Sequence, residues 1–371
     1  MFKRPNFNKN IINISSTFSN FLGNKTDVKT LPILENELKK GYKNVVFIIL
    51  DGFGINPIKI NLKKDNLLRK NIKQKLTSVF PSTTTSATTT LMSCKYPMEH
   101  GWFGWSVYLD FMDKTVDLYL NKDSYTKEEV DSKEIFNKLP YKPYYETVNT
   151  DYTINTVFPG FVKVGPVKNN TTYNTPKEMA DGILKVCQKQ GKQFVYCYNP
   201  EPDATMHEFG VSSKNAKEKF CEIVENIENL YSQVEDTLIV VSADHGQIDV
   251  GGYIEIYKQQ DIMDLLEIKP YLESRAAAFK IKQGKEKEFE KLFNLYYKKD
   301  FKLFKTQTLV DKGYFGLKEF DGHRNMLGDY IAVSKKDKMF IFAEDRQFFK
   351  GHHTSLTQEM EVPLIVLSKK A

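Results

Sequence analysis

Cysteine and tryptophan are scarce in this chain of 371 residues, with four of the first and two of the second. The cysteines, Cys94, Cys187, Cys197 and Cys221, are scattered and lack the close paired spacing of a structural zinc site. Three of them lie in apolar patterns, which points to reduced core thiols rather than a scaffold built on disulfides. Long apolar runs are missing too. The stretch MFKRPNFNKNIINISSTF has basic residues but no apolar segment of signal-peptide length, and no later stretch is long enough to span a bilayer. The expectation is a cytoplasmic protein without a membrane partner. Nor is charge of one sign concentrated anywhere. The net charge is +6, but Lys and Glu interleave along most of the chain, so no basic block suggests a nucleic-acid partner. Such a balance does no more than favour anionic substrates by steering.

What is present is a soluble globular composition, 41% hydrophobic and 27% charged. At about 150 residues per domain, the length suits two units or one large core with an insertion. The stretch Leu76 to Gly101, LTSVFPSTTTSATTTLMSCKYPMEHG, reads as a strand end, a Pro81-Ser82 turn and a helix entered through threonines. Threonine is β-branched and a poor helix former, so six between Thr83 and Thr90 are an odd choice for helicity alone. At a helix N-terminus, unpaired N–H groups favour an anion, and one of these hydroxyls could serve as a nucleophile. A cap rich in Ser and Thr is the plainer reading of the same run.

Further along, Asn44 to Leu50 is a continuous apolar run, as in a strand buried on both faces, and it ends in Asp51-Gly52-Phe53-Gly54. Thr175-Pro176-Lys177-Glu178 opens a helix to about Gln190, and the strand Phe194 to Tyr198 then leads into a loop carrying Asp203 and His207. An amphipathic helix from Ser213 to Val234 precedes a third apolar strand, Leu238 to Ala243, which ends in Asp244-His245-Gly246. Any one of these acids could be a turn or cap. Three at the ends of three buried strands, two with a nearby His, point to one site at the carboxyl edge of a sheet. Both tryptophans fall in Gly101-Trp102-Phe103-Gly104-Trp105-Ser106-Val107-Tyr108, an aromatic cluster that could stack on a ligand or be core. His352-His353 and a last apolar strand, Val362 to Leu367, close the chain, Pro363 placing that strand at an edge or at a bulge. The expected organisation is a peripheral segment 1–43, an α/β core at 44–251 and 349–371, and a small α+β cap lobe inserted at 252–348.

Asp51, Asp203, His207, Asp244, His245 and His353 form a mixed carboxylate–imidazole set that suits zinc, or manganese or iron, better than magnesium or calcium. Six ligands are too many for one tetrahedral ion and suit two. Two ions roughly 4 Å apart clamp displacement at phosphorus.

In ILDGFG, FPSTTTSATTTLMSCKYPMEHG, YNPEPDATMHEFG, VVSADHGQ and GHHTSL, over about 42–257 and 350–371, the chain resembles the alkaline phosphatase superfamily. Within it, the resemblance is to the nucleotide pyrophosphatase/phosphodiesterase branch. This implies a three-layer α/β fold with a mostly parallel sheet between helices, and a hydrolase acting on a small phosphorylated substrate. It implies one ion held by Asp203, His207 and His353, the other by Asp51, Asp244 and His245, and Thr84 between them as nucleophile. Thr84 follows from counting back from Tyr96-Pro97 and His100-Gly101; Thr83 and Thr85 flank it. His352 is expected to support a ligand from behind. Where nucleotide-cleaving members carry a base-packing phenylalanine and a phosphoryl-binding asparagine, this chain has Thr85 and Trp105. Thr85, Trp102, Trp105 and Tyr108 are therefore the candidate substrate contacts. The alternatives are a phosphomonoesterase or phosphonate hydrolase on the same core, or a non-catalytic binding relative. A sulfatase lacks support without a C/S-x-P-x-R motif, and a metal-dependent phosphoglycerate mutase usually carries a serine nucleophile.

Overall fold

The computed structural model describes residues 2–163, 165–317 and 322–370. Its central sheet has seven strands in the order Ile72–Thr77, Glu361–Lys369, Thr237–Ser242, Asn44–Leu50, Lys192–Asn199, Tyr152–Pro159, Asn170–Tyr173. Only Glu361–Lys369 runs against the rest, pairing antiparallel with both neighbours. The three strands expected to end in acids are adjacent at the middle, where Asn44–Leu50 pairs in parallel with Thr237–Ser242 and Lys192–Asn199. All seven residues of Asn44–Leu50 are buried, which explains its unbroken apolar run. Helices flank the sheet, giving the three-layer α/β arrangement. Pro176–Cys187 starts from a Thr175 cap, and Lys214–Gln233 from a Ser213 cap. No helix among the described residues is long and apolar enough to cross a membrane.

Glu361–Lys369 is an interior strand, so of the two readings of Pro363 the edge is excluded and the bulge holds, the register shifting just after it between Leu364 and Ile365. The Pro363 carbonyl still accepts a hydrogen bond from Ser242 Oγ at 2.7 Å. The N-terminal segment also lies deeper than a peripheral covering. Helix Ile11–Phe21 is buried from Ile11 through Ser19, and its Phe18 ring centroid lies 5.0 Å from Phe47 and 5.5 Å from Phe194. Its polar residues are spent on anchoring: Ser15 Oγ donates to Leu91 O at 2.8 Å, and Asn10 Nδ2 to Ser78 O at 2.8 Å. Of the cysteines, all free, Cys187 and Cys197 are buried, Cys94 is half-buried and Cys221 is exposed.

A second, antiparallel sheet follows the order Phe301–Lys305, Tyr330–Ser334, Ala276–Ile281, Leu266–Glu273, Ser106–Leu109, Lys114–Asp117, Lys122–Asp123. It therefore draws on residues just after the threonine helix as well as on the 252–348 region. Helix Glu286–Tyr297 covers it with Phe289, Phe293 and Tyr297, which join Phe279 and Phe340 in a separate small core.

The lobe is tied to the main sheet by a fully buried ion pair. Arg275 donates through Nη2 and Nε to Glu359 Oε1 at 2.7 and 3.1 Å, and its other donors reach the carbonyls of Lys338 and Lys336. Glu359 in turn offers its backbone carbonyl to Gly246 N at 2.7 Å, next to His245. Removing one partner strands the other charge out of water. Arg275→Met is expected to cost about 3–5 kcal/mol, read as a lowered urea midpoint, and Arg275→Met/Glu359→Leu should recover part of that loss.

Candidate metal centre and active site

Adjacent parallel strands deliver the acids to one place. Asp51 N donates to Asn199 O at 2.9 Å and Asp203 N to Asp51 O at 3.2 Å, so the two loops are laced together as they leave the sheet. Close approach demands glycine here. A Cβ at Gly54 would stand 2.4 Å from Gly246 Cα, and Gly52, at φ +70°, would meet Asp203 and Met206.

Asp51, Asp244 and His245 bring one ligand atom each within 4.8 Å of one another, as do Asp203, His245 and His353, and His207, His352 and His353. All are buried except His207, which is half-buried. His245 Nε2 lies 3.3 Å from Asp51 Oδ1 and 3.4 Å from Asp244 Oδ2; His207 Nε2 lies 3.2 Å from Asp203 Oδ2. His207 Nδ1 meets Gly351 O at 2.8 Å and His353 Nδ1 meets Thr354 Oγ1 at 2.7 Å, so each ring presents its Nε2 edge. Thr354 holds a φ of +88°, a left-handed backbone that costs a β-branched residue about 1–3 kcal/mol and fixes the ring beside it.

Crowding three buried carboxylates perturbs them strongly. Burial, and then Asp244 and Asp203, raise the Asp51 carboxyl well above its ordinary range; burial and Asp203 push Asp244 up to about 7. Burial opposes charge on Asp203 as well, but His207 beside it draws that carboxyl down to about 2. Burial would lower His207, yet Asp203 leaves it raised, whereas burial and neighbouring imidazoles hold His353 well below its usual value; burial, with His207, does the same to His352. Asp244 Oδ2 is buried without a hydrogen-bond partner. An orphaned oxygen among repelling acids and imidazoles fits divalent ions.

Thr84 is the first residue of helix Thr84–Ser93, with Thr83 as N-cap in extended conformation. Its Oγ1 lies 3.2 Å from Asp51 Oδ2 and 3.2 Å from His245 Nε2, on the rim of the cluster. The threonines behind it serve the helix interior. Thr88 Oγ1 returns to Thr84 O at 2.7 Å and meets Tyr119 Oη at 2.6 Å, and Thr90 Oγ1 meets His100 Nε2 at 3.1 Å. Thr85 is fully buried with its hydroxyl unpartnered, so its side chain is not a substrate surface; its backbone N–H remains a first-turn donor.

The aromatic candidates separate. Trp102 is 1% exposed, its Nε1 donates to Leu139 O at 3.0 Å, and it packs on Phe136 and Tyr141, which makes it core. Tyr108 is buried, with its hydroxyl on Asp113 and its ring against Tyr271 and Lys280, away from the cluster. Trp105 is 37% exposed and meets the equally exposed Tyr119 edge to face at 6.4 Å. Since Tyr119 reaches Thr88, one turn from Thr84, this pair borders Thr84.

Sequence reasoning missed Tyr119 and two further groups. Tyr198 donates to Asp51 Oδ2 at 2.6 Å, its only sequence signal being a place at a strand end before the Asp203 loop. Glu273 comes from the lobe. Its carboxylate accepts the Trp105 N–H at 2.7 Å, and burial pushes it up to about 7 against hydrogen bonds from Thr83 and Trp105. It follows Leu272, held at φ +81°, and no pattern marks it among the lobe's many glutamates.

A buried mixed carboxylate–imidazole cluster at the carboxyl edge of a mainly parallel sheet, with a threonine at a helix N-terminus beside it, defines a hydrolase of the alkaline phosphatase superfamily, acting on phosphoester bonds. A family model described as type I phosphodiesterase / nucleotide pyrophosphatase matches residues 45–356, and the chain belongs to that family. Solved structures share the fold. Murine ectonucleotide pyrophosphatase/phosphodiesterase 5 superposes with a TM-score of 0.60 at 16% identity, covering 87% of each chain. An inactive variant of that protein in complex with AMP gives 0.59 at 15%, with the same coverage. Phosphonoacetate hydrolase from Sinorhizobium meliloti 1021, in complex with phosphonoformate, gives 0.60 at 14%, covering 86% of this chain and 89% of its own. No curated protein matches the chain.

In the metal-free cluster burial and mutual repulsion raise the Asp51 and Asp244 carboxyls, the latter to about 7, so coordination is expected to expel protons from them. Zinc binding is expected to release on the order of one or two protons at pH 7 and fewer at pH 9. Calorimetry in buffers of different ionisation enthalpy measures this, and a heat independent of buffer at pH 7 would contradict the protonation pattern.

Proposed function

We propose that the chain is a metal-dependent hydrolase that cleaves phosphodiester or pyrophosphate bonds of a small, plausibly nucleotide-type substrate through a phosphothreonine intermediate on Thr84. The observation that carries this reading is the Thr84 hydroxyl 3.2 Å from both Asp51 and His245, at the start of a helix. Asp51, Asp244 and His245 would hold one divalent ion and Asp203, His207 and His353 the other, zinc being favoured by the donor set over manganese or iron. Such ions, when bound, lower the pKa of a coordinated hydroxyl and stabilise charge at phosphorus.

The chain's own groups account for the rest. Asp51, fixed by Tyr198, and His245 orient Thr84 Oγ1, whose proton leaves to solvent water before the oxygen attacks. The Thr84 oxygen then forms the bond to phosphorus as the bond to the leaving oxygen breaks. The N-terminal helix amides, Thr85 N–H among them, face the phosphoryl oxygens and offset their charge. Water subsequently attacks the phosphothreonine and restores the hydroxyl. Trp105 and Tyr119 receive the organic part of the substrate.

A second reading, a phosphonate hydrolase or phosphomonoesterase, draws on two observations. Phosphonoacetate hydrolase resembles the chain as closely as the nucleotide pyrophosphatase does, and Thr85 cannot reproduce a base-packing phenylalanine. Hydrolysis of a chromogenic diester, the matching monoester and a phosphonate, before and after chelation, distinguishes the readings. The diester is expected to be preferred and chelation to abolish turnover; monoester or phosphonate preference would move the assignment.

Thr84→Ala is expected to lower kcat on the order of 10⁴-fold while elemental analysis still finds bound metal. Survival of turnover would place the nucleophile elsewhere. Trp105→Ala should raise KM roughly fivefold, matching about 1 kcal/mol of ring contact, with kcat little changed; unaltered steady-state kinetics would remove Trp105 from the substrate's surroundings.

A further inference from the structure

His352 is 4% exposed, and its Nδ1 is buried without any hydrogen-bond partner. Leaving a buried imidazole nitrogen unpaired costs about 1–3 kcal/mol, so its surroundings should supply a partner. They are other imidazoles: the ring centroids of His353 and His207 lie 4.7 and 5.1 Å away, and Phe349 closes the remaining side at 5.2 Å. One nitrogen from each of the three histidines falls within 4.8 Å of the other two.

The backbone holds this group together. Gly351–His352 pairs antiparallel with Ile248–Asp249, placing His352 opposite Ile248, three residues beyond His245. Gly351 O engages His207 Nδ1 and Thr354 Oγ1 engages His353 Nδ1, so both of those rings spend their second nitrogen on the protein and keep the first for a ligand. His352 Nδ1 has no such anchor. A ring that merely supported a ligand from behind would bond to that ligand's second nitrogen, and on His207 and His353 these nitrogens are already taken.

Resting on the reading that this cluster binds divalent metal, we infer that His352 is itself a ligand, joining His207 and His353 together with Asp203 so that this position offers three imidazoles to a divalent transition ion such as zinc. The two metal positions then differ in chemistry. One is rich in carboxylate, from Asp51 and Asp244 with His245. The other is rich in imidazole and discriminates against magnesium and calcium.

The test uses the full chain, stripped by chelation and reloaded with zinc or cobalt(II). Wild type is expected to retain two equivalents, and His352→Ala to lose about one of them, with at least tenfold weaker zinc binding by calorimetry and an altered visible cobalt(II) spectrum. His352→Gln, closer in volume, serves if the alanine variant does not fold by circular dichroism, and the same losses are expected of it. Two equivalents with unchanged affinity and an unchanged cobalt(II) spectrum in a folded variant would overturn the inference and leave the proposed function standing. Failure of wild type to bind any divalent ion would overturn both.

Discussion

Asp51, Asp203 and Asp244 are withdrawn from water into a space where their charges repel, and the structure around them answers that constraint. Three adjacent strands, locked by parallel ladders, hold the acids where flexible loops would let them part. Glycines at 52 and 54 let the departing loops approach within distances a side chain would forbid. Tyr198, Gln247 and backbone amides donate into the carboxylates, and imidazoles supply the remaining counter-groups. Such an assembly opposes folding unless cations relieve it, so stability and ion binding become properties of one set of residues.

Strain collects where the chemistry is. Leu272 and Thr354, both in left-handed backbone, immediately adjoin Glu273 and His353. Each is held by what surrounds it: Leu272 pairs with Ala277 in the lobe's sheet, and Thr354 bridges to Ser82 at the turn before Thr84. Rigid elements on both sides thus determine two conformations that isolated segments would avoid.

The legible part of the site was written in contiguous runs. An apolar strand followed by an acid is a local signal, and its repetition at Asp51, Asp203 and Asp244 announced both the sheet and its functional edge. Thr84 was reached by counting residues, since nothing in the threonine run separates it from its neighbours; only folding shows that the others turn into the helix interior while Thr84 faces Asp51. Trp102 and Trp105 looked equivalent because composition does not say which ring finds a carbonyl for its N–H in the core. Glu273, Tyr119 and the Arg275–Glu359 pair were illegible for a different reason: their partners lie from 31 to 168 residues away and follow no period. Pro363 left edge and bulge both open, and the register shift between Leu364 and Ile365 decides for the bulge.

The second sheet joins Ser106–Leu109, which follows directly on the Trp105 corner, to Leu266–Glu273 from the lobe. The wall beside Thr84 is thus a composite of two distant stretches of chain, sewn at Leu272 and Ser106 and clasped by Glu273 on the Trp105 amide. Such a wall cannot be exchanged as a cassette. A lineage that reshapes it must alter both stretches in step, and an engineer who grafts the lobe alone would leave behind half of that wall.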